Sequence, residues 1–139
     1  MIEELRLAAA AWDAILEHAR RTAPDECCGL LVGQGGTVEE VRPARNIARE
    51  PRRRFLIDPA DHFAALREAR VRGRTILGAY HSHPDGAPLP SETDIAEAVE
   101  DEQFIHVIAS PPRDDRPASM AAYSLTRRNF VPLRLVRVA

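Results

Sequence analysis

Lysine is absent from this chain, and cysteine and aromatic residues are scarce. The 19 basic residues are therefore all arginines, and with 21 acidic residues they leave a formal net charge of -2. This balance provides no electrostatic argument for nucleic acid or an anionic membrane as a partner. The length of 139 residues and the apolar fraction of 45% instead predict a single folded domain over residues 1–139 and argue against disorder.

Long apolar runs are also missing. No segment approaches the roughly 18 consecutive apolar residues of a membrane helix, and the charged N-terminus lacks the basic start of a secretory signal. The two cysteines, Cys27 and Cys28, are adjacent, and adjacent cysteines rarely meet disulfide geometry with each other. We therefore expect a cytoplasmic protein whose fold does not depend on disulfides.

Hydrophobic periodicity and turn residues predict a mixture of strands and helices that does not alternate strictly. The predicted fold class is therefore α/β or α+β, a mixed central β-sheet flanked by helices. The predicted strands lie near Leu5 and over residues 27–32, 37–42, 54–57, 75–80, 104–109, 120–125 and 131–138. The predicted helices run from about residue 11 to Thr22, from Asp58 to Gly73 with Phe63, Leu66 and Ala69 as apolar positions, and from Ser91 with Ile95, Ala98 and Val99 on one face.

Arg52–Arg54 is the single basic cluster in the chain. On a predicted strand, such charge is typical of a solvated strand edge, where it discourages pairing with other chains. We favour this interpretation. The alternative, that the cluster binds an acidic partner, is left open.

Two histidines follow the predicted strand at residues 75–80. His81 and His83 are two residues apart, so on an extended chain their imidazoles point to the same side. Asp94 follows in the first turn of the next predicted helix, and the proline-rich loop at residues 84–90 allows that helix to fold back over the histidines. Two imidazoles and one carboxylate are a common ligand set for catalytic zinc, which keeps a fourth position for water.

Each part of this pattern also has a simpler interpretation. A lone histidine is usually structural or solvated, and Ser91-x-x-Asp94 is close to a helix capping box. The combination of HxHP, six residues and SxxD is much more specific than either part, and it favours a metal site.

The segment YHSHPDGAPLPSETD resembles the JAMM signature of the MPN-domain zinc metallopeptidases, and in particular their bacterial single-domain branch. That signature has an upstream glutamate, an HxH pair, ten residues and an aspartate. The segment PDECCGLLVG is similar to the N-terminal block of the same family. The resemblance implies an MPN-like fold, related in architecture to the cytidine deaminase fold, and one zinc ion per chain held by His81, His83 and Asp94.

The resemblance also implies two catalytic residues. Glu26 would be the general base, whereas without the resemblance it would be interpreted as a surface residue at the start of a strand. Asp25 is its nearest rival for that role. Ser91 matches the family's serine that hydrogen-bonds the developing oxyanion, and this role is compatible with a helix cap.

Other residues with reactive side chains are present as well. Cys27 and Cys28 offer a competing nucleophile for a cysteine hydrolase, but their apolar segment is more typical of small buried residues. The remaining histidines, His18, His62 and His106, are predicted on helix faces or a strand without a ligand role, and Trp12 and Tyr80 in the core or the wall of the site.

The expected substrate also follows from the resemblance. Family members that remove ubiquitin have additional insertions, whereas this chain is close to the minimum length of the domain. It is more similar to bacterial enzymes that cut after the C-terminal Gly-Gly of ubiquitin-like sulfur-carrier proteins. We therefore expect such a carrier as the partner. The released group, the pathway and the oligomeric state, a homodimer included, are left open.

Two further functional classes fit the sequence less well. A non-catalytic MPN scaffold typically lacks the metal ligands, all of which are present here. A zinc nucleobase deaminase needs HxE and PCxxC, and the sequence contains neither motif.

Overall fold

The computed structural model describes residues 3–98, 101 and 103–139. The helices within these residues are α1 (Ala9–Thr22), α2 (Pro59–Val71) and α3 (Glu92–Glu97). The strands are β1 (Glu4–Ala8), β2 (Cys28–Gln34), β3 (Thr37–Ala44), β4 (Thr75–Ser82), β5 (Ile105–Ser110), β6 (Ser119–Thr126) and β7 (Asn129–Val138). No helix in these described ranges is long and apolar enough to cross a membrane.

The strands form a mixed sheet that closes on itself. Their order is β1–β3–β2–β4–β5–β6–β7, and β7 returns to pair with β1. Strand β1 is parallel to both of its neighbours and β4 is parallel to β5, whereas the other pairs are antiparallel. The predicted fold class, a mixed sheet flanked by helices, is therefore confirmed.

Helix α1 covers one face of the central strands. Its buried residues Ala11, Ile15 and Ala19 recur every four positions and therefore share one side of the helix. They pack in one apolar cluster with Leu31 of β2 and Tyr80 of β4. Most of the main core lies between α1 and this face of the sheet.

The opposite face of β4 faces α2. Ala79 packs with Leu30 of β2 and Ala65 of α2 in a second buried cluster. Because side chains alternate along a strand, His81 points to the same face as Ala79, away from α1. The central strands are thus covered on both faces, which explains their nearly continuous apolar sequences.

The prediction of a strand at residues 54–57 is wrong. Ile57 forms only an isolated bridge with Asn46, and residues 51–53 form a turn. Asn46 accounts for this difference, because its side chain hydrogen-bonds the backbone of Arg54 and Leu56. Arg52 and Arg53 are exposed in the turn rather than on a strand edge.

The apolar face predicted for α2 is also partly wrong. Ala65 and Ala69 are its buried residues, whereas Phe63 is 61% exposed and Leu66 is 46% exposed. Small residues on the inner side allow the helix to approach the sheet closely. Val99, predicted on the apolar face of α3, lies outside the described residues.

The close approach of β4 and β5 requires glycine at position 78. A Cβ on Gly78 would lie 1.9 Å from the carbonyl oxygen of Ile105, its partner in the parallel ladder. We therefore expect Gly78→Ala to lower the free energy of unfolding by about 1–3 kcal/mol, as measured by urea denaturation. Gly86→Ala is the control, since a Cβ there has nothing within 4 Å. Equal stability of the two variants would contradict this prediction.

Candidate metal centre

The candidate site lies where β2 begins and β4 ends. Antiparallel pairing places Cys28 opposite His81, so Glu26, two residues before β2, lies beside the end of β4. The backbone N–H of His83 donates to the carbonyl oxygen of Ala109 at 2.8 Å and extends the chain along β5. Helix α3 then brings Asp94 to the same place.

The structure brings together the three residues predicted as ligands. The Nε2 atoms of His81 and His83 are 3.1 Å apart. One carboxylate oxygen of Asp94, Oδ2, lies 3.2 Å from His81 Nε2 and 3.1 Å from His83 Nε2. His81 and Asp94 are buried, and His83 is partly accessible.

This triangle of atoms fits a zinc ion. Zinc binds imidazole nitrogen and carboxylate oxygen at about 2.0–2.1 Å, so tetrahedral ligand atoms are separated by roughly 3.3 Å. The three separations here are 3.1–3.2 Å. Both the donor types and their spacing therefore suit zinc, with one corner of the tetrahedron available to water.

Neighbouring groups fix each of these side chains. The imidazole of His81 stacks on Phe55 with ring centroids 4.3 Å apart, and His83 Nδ1 lies 3.1 Å from the carbonyl oxygen of Ala87. The backbone N–H of Ser91 donates to Asp94 Oδ2 at 2.9 Å. Such outer contacts orient ligands and set the tautomer of a histidine.

Three side chains outside the loop between His83 and α3 anchor it through hydrogen bonds. Ser110 donates to the carbonyl oxygen of Gly86 and Tyr123 to that of Pro88, each at 2.7 Å. Arg113 donates to the carbonyl oxygen of Pro84 at 3.1 Å. These contacts hold Asp94 at a fixed distance from the histidines.

Ser91 caps α3 at its N-terminus. Its Oγ accepts the backbone N–H of Asp94 at 3.0 Å, which completes a capping box. Accepting this bond leaves the hydroxyl hydrogen of Ser91 available as a donor. The helix-cap interpretation is therefore correct, and it leaves the hydroxyl able to donate.

Glu26 is buried next to the histidines. Only 4% of its surface is exposed, and its Oε1 atom has no hydrogen-bond partner in the described part of the chain. One of its carboxylate oxygens lies within 4.8 Å of imidazole nitrogens of His81 and His83. Asp94 Oδ2 is hydrogen-bonded to both imidazole nitrogens, whereas no such bond joins Glu26 to either histidine among the described residues. Asp25 does not belong to this group.

Burial and charge perturb the titration of these groups. Burial raises the pKa of Glu26 to about 7, with the negative charge of Asp94 adding to the effect and His83 opposing it. Burial also lowers the pKa of His81. The pKa of Asp94 is held well below its usual range, because the hydrogen bonds from His81 and His83 outweigh its burial.

A groove of about 860 Å³ opens beside His81 and Asp94. One wall is the segment between β3 and α2, which we call the groove loop (residues 45–57), and the other includes α3. Arg54 of the groove loop pairs with Glu97 of α3 at 3.2 Å and links the two walls. Side chains lining the groove include Ile47, Phe55, Leu56, Ile57, His62, His106 and Phe130. The sequence predicted a strand and a basic cluster within the groove loop, but no motif indicated that the loop lies beside His81 and Asp94.

The other histidines lie outside the ligand triangle. His18 Nδ1 is 2.8 Å from the hydroxyl of Tyr80 in the core beneath α1, and Trp12 packs at the margin of the same core. His106 lies between the rings of Phe104 and Phe130.

The two thiols are poorly suited to nucleophilic attack. Cys27 and Cys28 are both buried, and burial raises their pKa values to about 11 and about 12. A thiolate, the reactive form, is therefore scarce at neutral pH.

We expect the double variant Cys27→Ala/Cys28→Ala to hydrolyse substrate at close to the original rate per folded molecule. Its stability should fall by about 1–2 kcal/mol, because removing buried sulfur atoms leaves unfilled space. Peptidase assays and thermal unfolding of the same preparation test both parts. Loss of activity with an intact fold and full zinc content would favour a cysteine hydrolase instead.

Residues 8–125 match the family described as prokaryotic homologs of the JAB domain. The chain belongs to this family. The match covers most of the chain, and it confirms the predicted relationship to the bacterial single-domain JAMM enzymes.

Individual relatives agree with this assignment. The desampylase of Haloferax volcanii is 40% identical over 113 residues, which cover 77% of this chain and 81% of the relative. The CysO-cysteine peptidase of Mycobacterium tuberculosis is 30% identical over 115 residues, 81% of this chain and 77% of the relative. A solved structure described as a metalloprotease-like zinc site, JAMM, in the proteasome and signalosome shares the fold, with a TM-score of 0.56, 22% identity and coverage of 95% of this chain and 97% of that one. The predicted enzyme class, a hydrolase of the JAMM type, is confirmed.

Proposed function

We propose that this protein is a zinc-dependent peptidase that cuts after the C-terminal Gly-Gly of a ubiquitin-like or sulfur-carrier protein. The strongest support is the distance between the side chains of His81, His83 and Asp94. Their Nε2 and Oδ2 atoms lie within 3.2 Å of one another, and the buried carboxylate of Glu26 lies beside them. The relatives named as a desampylase and a CysO-cysteine peptidase support the substrate class.

In this proposal each residue has a separate task. His81, His83 and Asp94 would hold the zinc ion, and the bound ion would activate water and polarise the scissile carbonyl. Glu26 takes a proton from the attacking water and delivers it to the leaving amine. The hydroxyl of Ser91 donates a hydrogen bond to the oxygen on which negative charge develops.

The groove provides a path for an extended tail. It runs past His81 and Asp94 between the groove loop and α3, and the apolar side chains of Phe55, Ile57 and Phe130 line it. A Gly-Gly sequence has no side chains beyond hydrogen, so its backbone can approach the histidines closely.

A carrier protein that ends in Gly-Gly followed by cysteine or a short extension tests the proposal. We expect mass spectrometry to show release of everything after the second glycine by the zinc-loaded protein. A zinc chelator should stop the reaction and added zinc should restore it, whereas a thiol-blocking reagent should have little effect. The same carrier with Ala-Ala in place of Gly-Gly is the substrate control and should be cut much more slowly. A protein that binds no zinc and leaves every such carrier intact would be a scaffold instead.

A further inference from the structure

The side chain of Asn46, at the start of the groove loop, makes four hydrogen bonds. Its Nδ2 donates to the backbone oxygen of Glu26 at 3.0 Å and to that of Arg54 at 3.1 Å. Its Oδ1 accepts the backbone N–H groups of Ala48 and Leu56, both at 3.0 Å. A primary amide has two donors and two acceptor lone pairs, so every one is used. The reverse orientation of the amide would direct donors at donors, and the network therefore fixes its orientation.

These bonds attach Glu26 to the groove loop. Glu26 precedes β2, so the regular ladder does not pair its backbone. Its N–H instead donates to the carbonyl oxygen of Pro51 at 2.7 Å, and its C=O accepts from Asn46. Both backbone groups of this buried residue are thus paired with the groove loop, as buried backbone groups require.

The backbone hydrogen bonds of Glu26 are particularly important for the position of its side chain. Its Oε1 atom has no hydrogen-bond partner among the described residues, so no hydrogen bond to that atom holds the carboxylate in place. The backbone bonds to Pro51 and Asn46 instead hold the point from which the side chain extends.

Asn46 also shapes the wall of the groove. It joins the two arms of the groove loop through Ala48 on one arm and Leu56 on the other, next to the backbone bond from Ile47 N–H to Leu56 C=O at 2.9 Å. Phe55, in the second arm, stacks on the imidazole of His81. The side-chain amide of Asn46 therefore contacts both the backbone of Glu26 and the loop against which a substrate tail would lie.

We propose that Asn46 is a positioning residue that aligns the carboxylate of Glu26 with the substrate groove. This inference rests on the proposed function, because it takes Glu26 as the base. Asn46 does not touch the reacting atoms; it acts through the backbone of Glu26 and the groove loop. Misplacing a reacting group by about 1 Å can slow a reaction roughly a hundredfold, which sets the scale of the expected effect.

Asn46→Asp is the sharpest variant. One carboxylate oxygen can still accept from Ala48 and Leu56, while the other faces the carbonyl oxygens of Glu26 and Arg54 without a hydrogen to donate. We expect kcat per bound zinc to fall about tenfold to a hundredfold, with zinc content unchanged and a smaller change in KM. Asn129→Asp is the matched control, since its amide makes one exposed bond to Arg127 in the turn between β6 and β7. It should keep the original rate.

A double-variant comparison separates positioning from general stability. If Asn46 acts through Glu26, Asn46→Asp should slow the residual reaction of Glu26→Gln much less than it slows the original enzyme. Equal losses in both backgrounds, or a rate within twofold of Asn129→Asp, would overturn the inference. Asn46→Ser gives the same comparison if the aspartate variant does not fold. Full activity of Glu26→Gln alone would instead count against the proposed function, whatever Asn46 does.

Hydrogen exchange gives a readout that is independent of activity. The amides of Ala48 and Leu56 donate to Asn46, and the amide of Glu26 donates to Pro51 of the loop that Asn46 closes. The three amides should therefore exchange with one common opening free energy. In Asn46→Asp the amide of Glu26 should exchange faster while those of Ala48 and Leu56 change less. Three unrelated opening free energies in the original protein would overturn the inference.

Discussion

Replacement of Glu26 by glutamine should abolish turnover while leaving zinc bound and the fold intact. Glutamine has nearly the same size and can accept a hydrogen bond, but it cannot take a proton at neutral pH. Loss of general acid–base catalysis is worth roughly a hundred- to ten-thousandfold in rate. The measurements are zinc content by elemental analysis and cleavage of a Gly-Gly-extended carrier.

Asp25→Asn is the matched control for this prediction. Asp25 is the adjacent carboxylate, but it does not belong to the group formed by Glu26 and the two histidines. We expect it to cleave the carrier at close to the original rate. An inactive Asp25→Asn beside an active Glu26→Gln would show that the base had been assigned one residue too late. Normal cleavage by both variants would place the base elsewhere.

Removal of any one of the three proposed ligands should release most of the zinc. His81→Ala, His83→Ala and Asp94→Ala each leave two protein ligands, which is too few for a stable catalytic site. The rate of carrier cleavage should fall with the zinc content. Elemental analysis of purified protein is the direct measurement, and a circular dichroism spectrum establishes that the fold persists.

The matched control for the ligand variants is Asp85→Ala. Asp85 lies two residues after His83, its side chain is 77% exposed, and it pairs with Arg113 rather than with the histidines. Its removal should leave the zinc content unchanged. Full zinc occupancy in all three ligand variants would contradict the proposed metal centre.

The local parts of the site could be predicted from the sequence. His81 and His83 share one side of an extended chain because they are two residues apart, and Asp94 follows in the first turn of α3. Most strands and helices also begin and end within two residues of their predicted positions. Period and spacing determine such features, and both can be seen in a sequence.

The long-range parts could not be predicted in the same way. Glu26 lies 55 residues before His81, and only the antiparallel pairing of β2 with β4 brings them together. The resemblance to the family identified Glu26, whereas its charge and position alone did not. The strand predicted at residues 54–57, within the groove loop, does not form, because the side chain of Asn46 rather than a neighbouring strand binds the backbone there. A single asparagine forms no sequence pattern from which this role could be predicted.

The closed order of the strands affects how the protein can associate with other chains. Among the described strands each has two neighbours, since β7 returns to β1. Closure of the sheet leaves fewer unpaired backbone groups for a second molecule, which protects against edge-to-edge aggregation, although β1 pairs with β3 only at Thr37 and Val38. Because the groove opens where β4 ends, beside the groove loop and α3, an extended substrate tail in it would find its backbone hydrogen-bond partners in the loops around the groove.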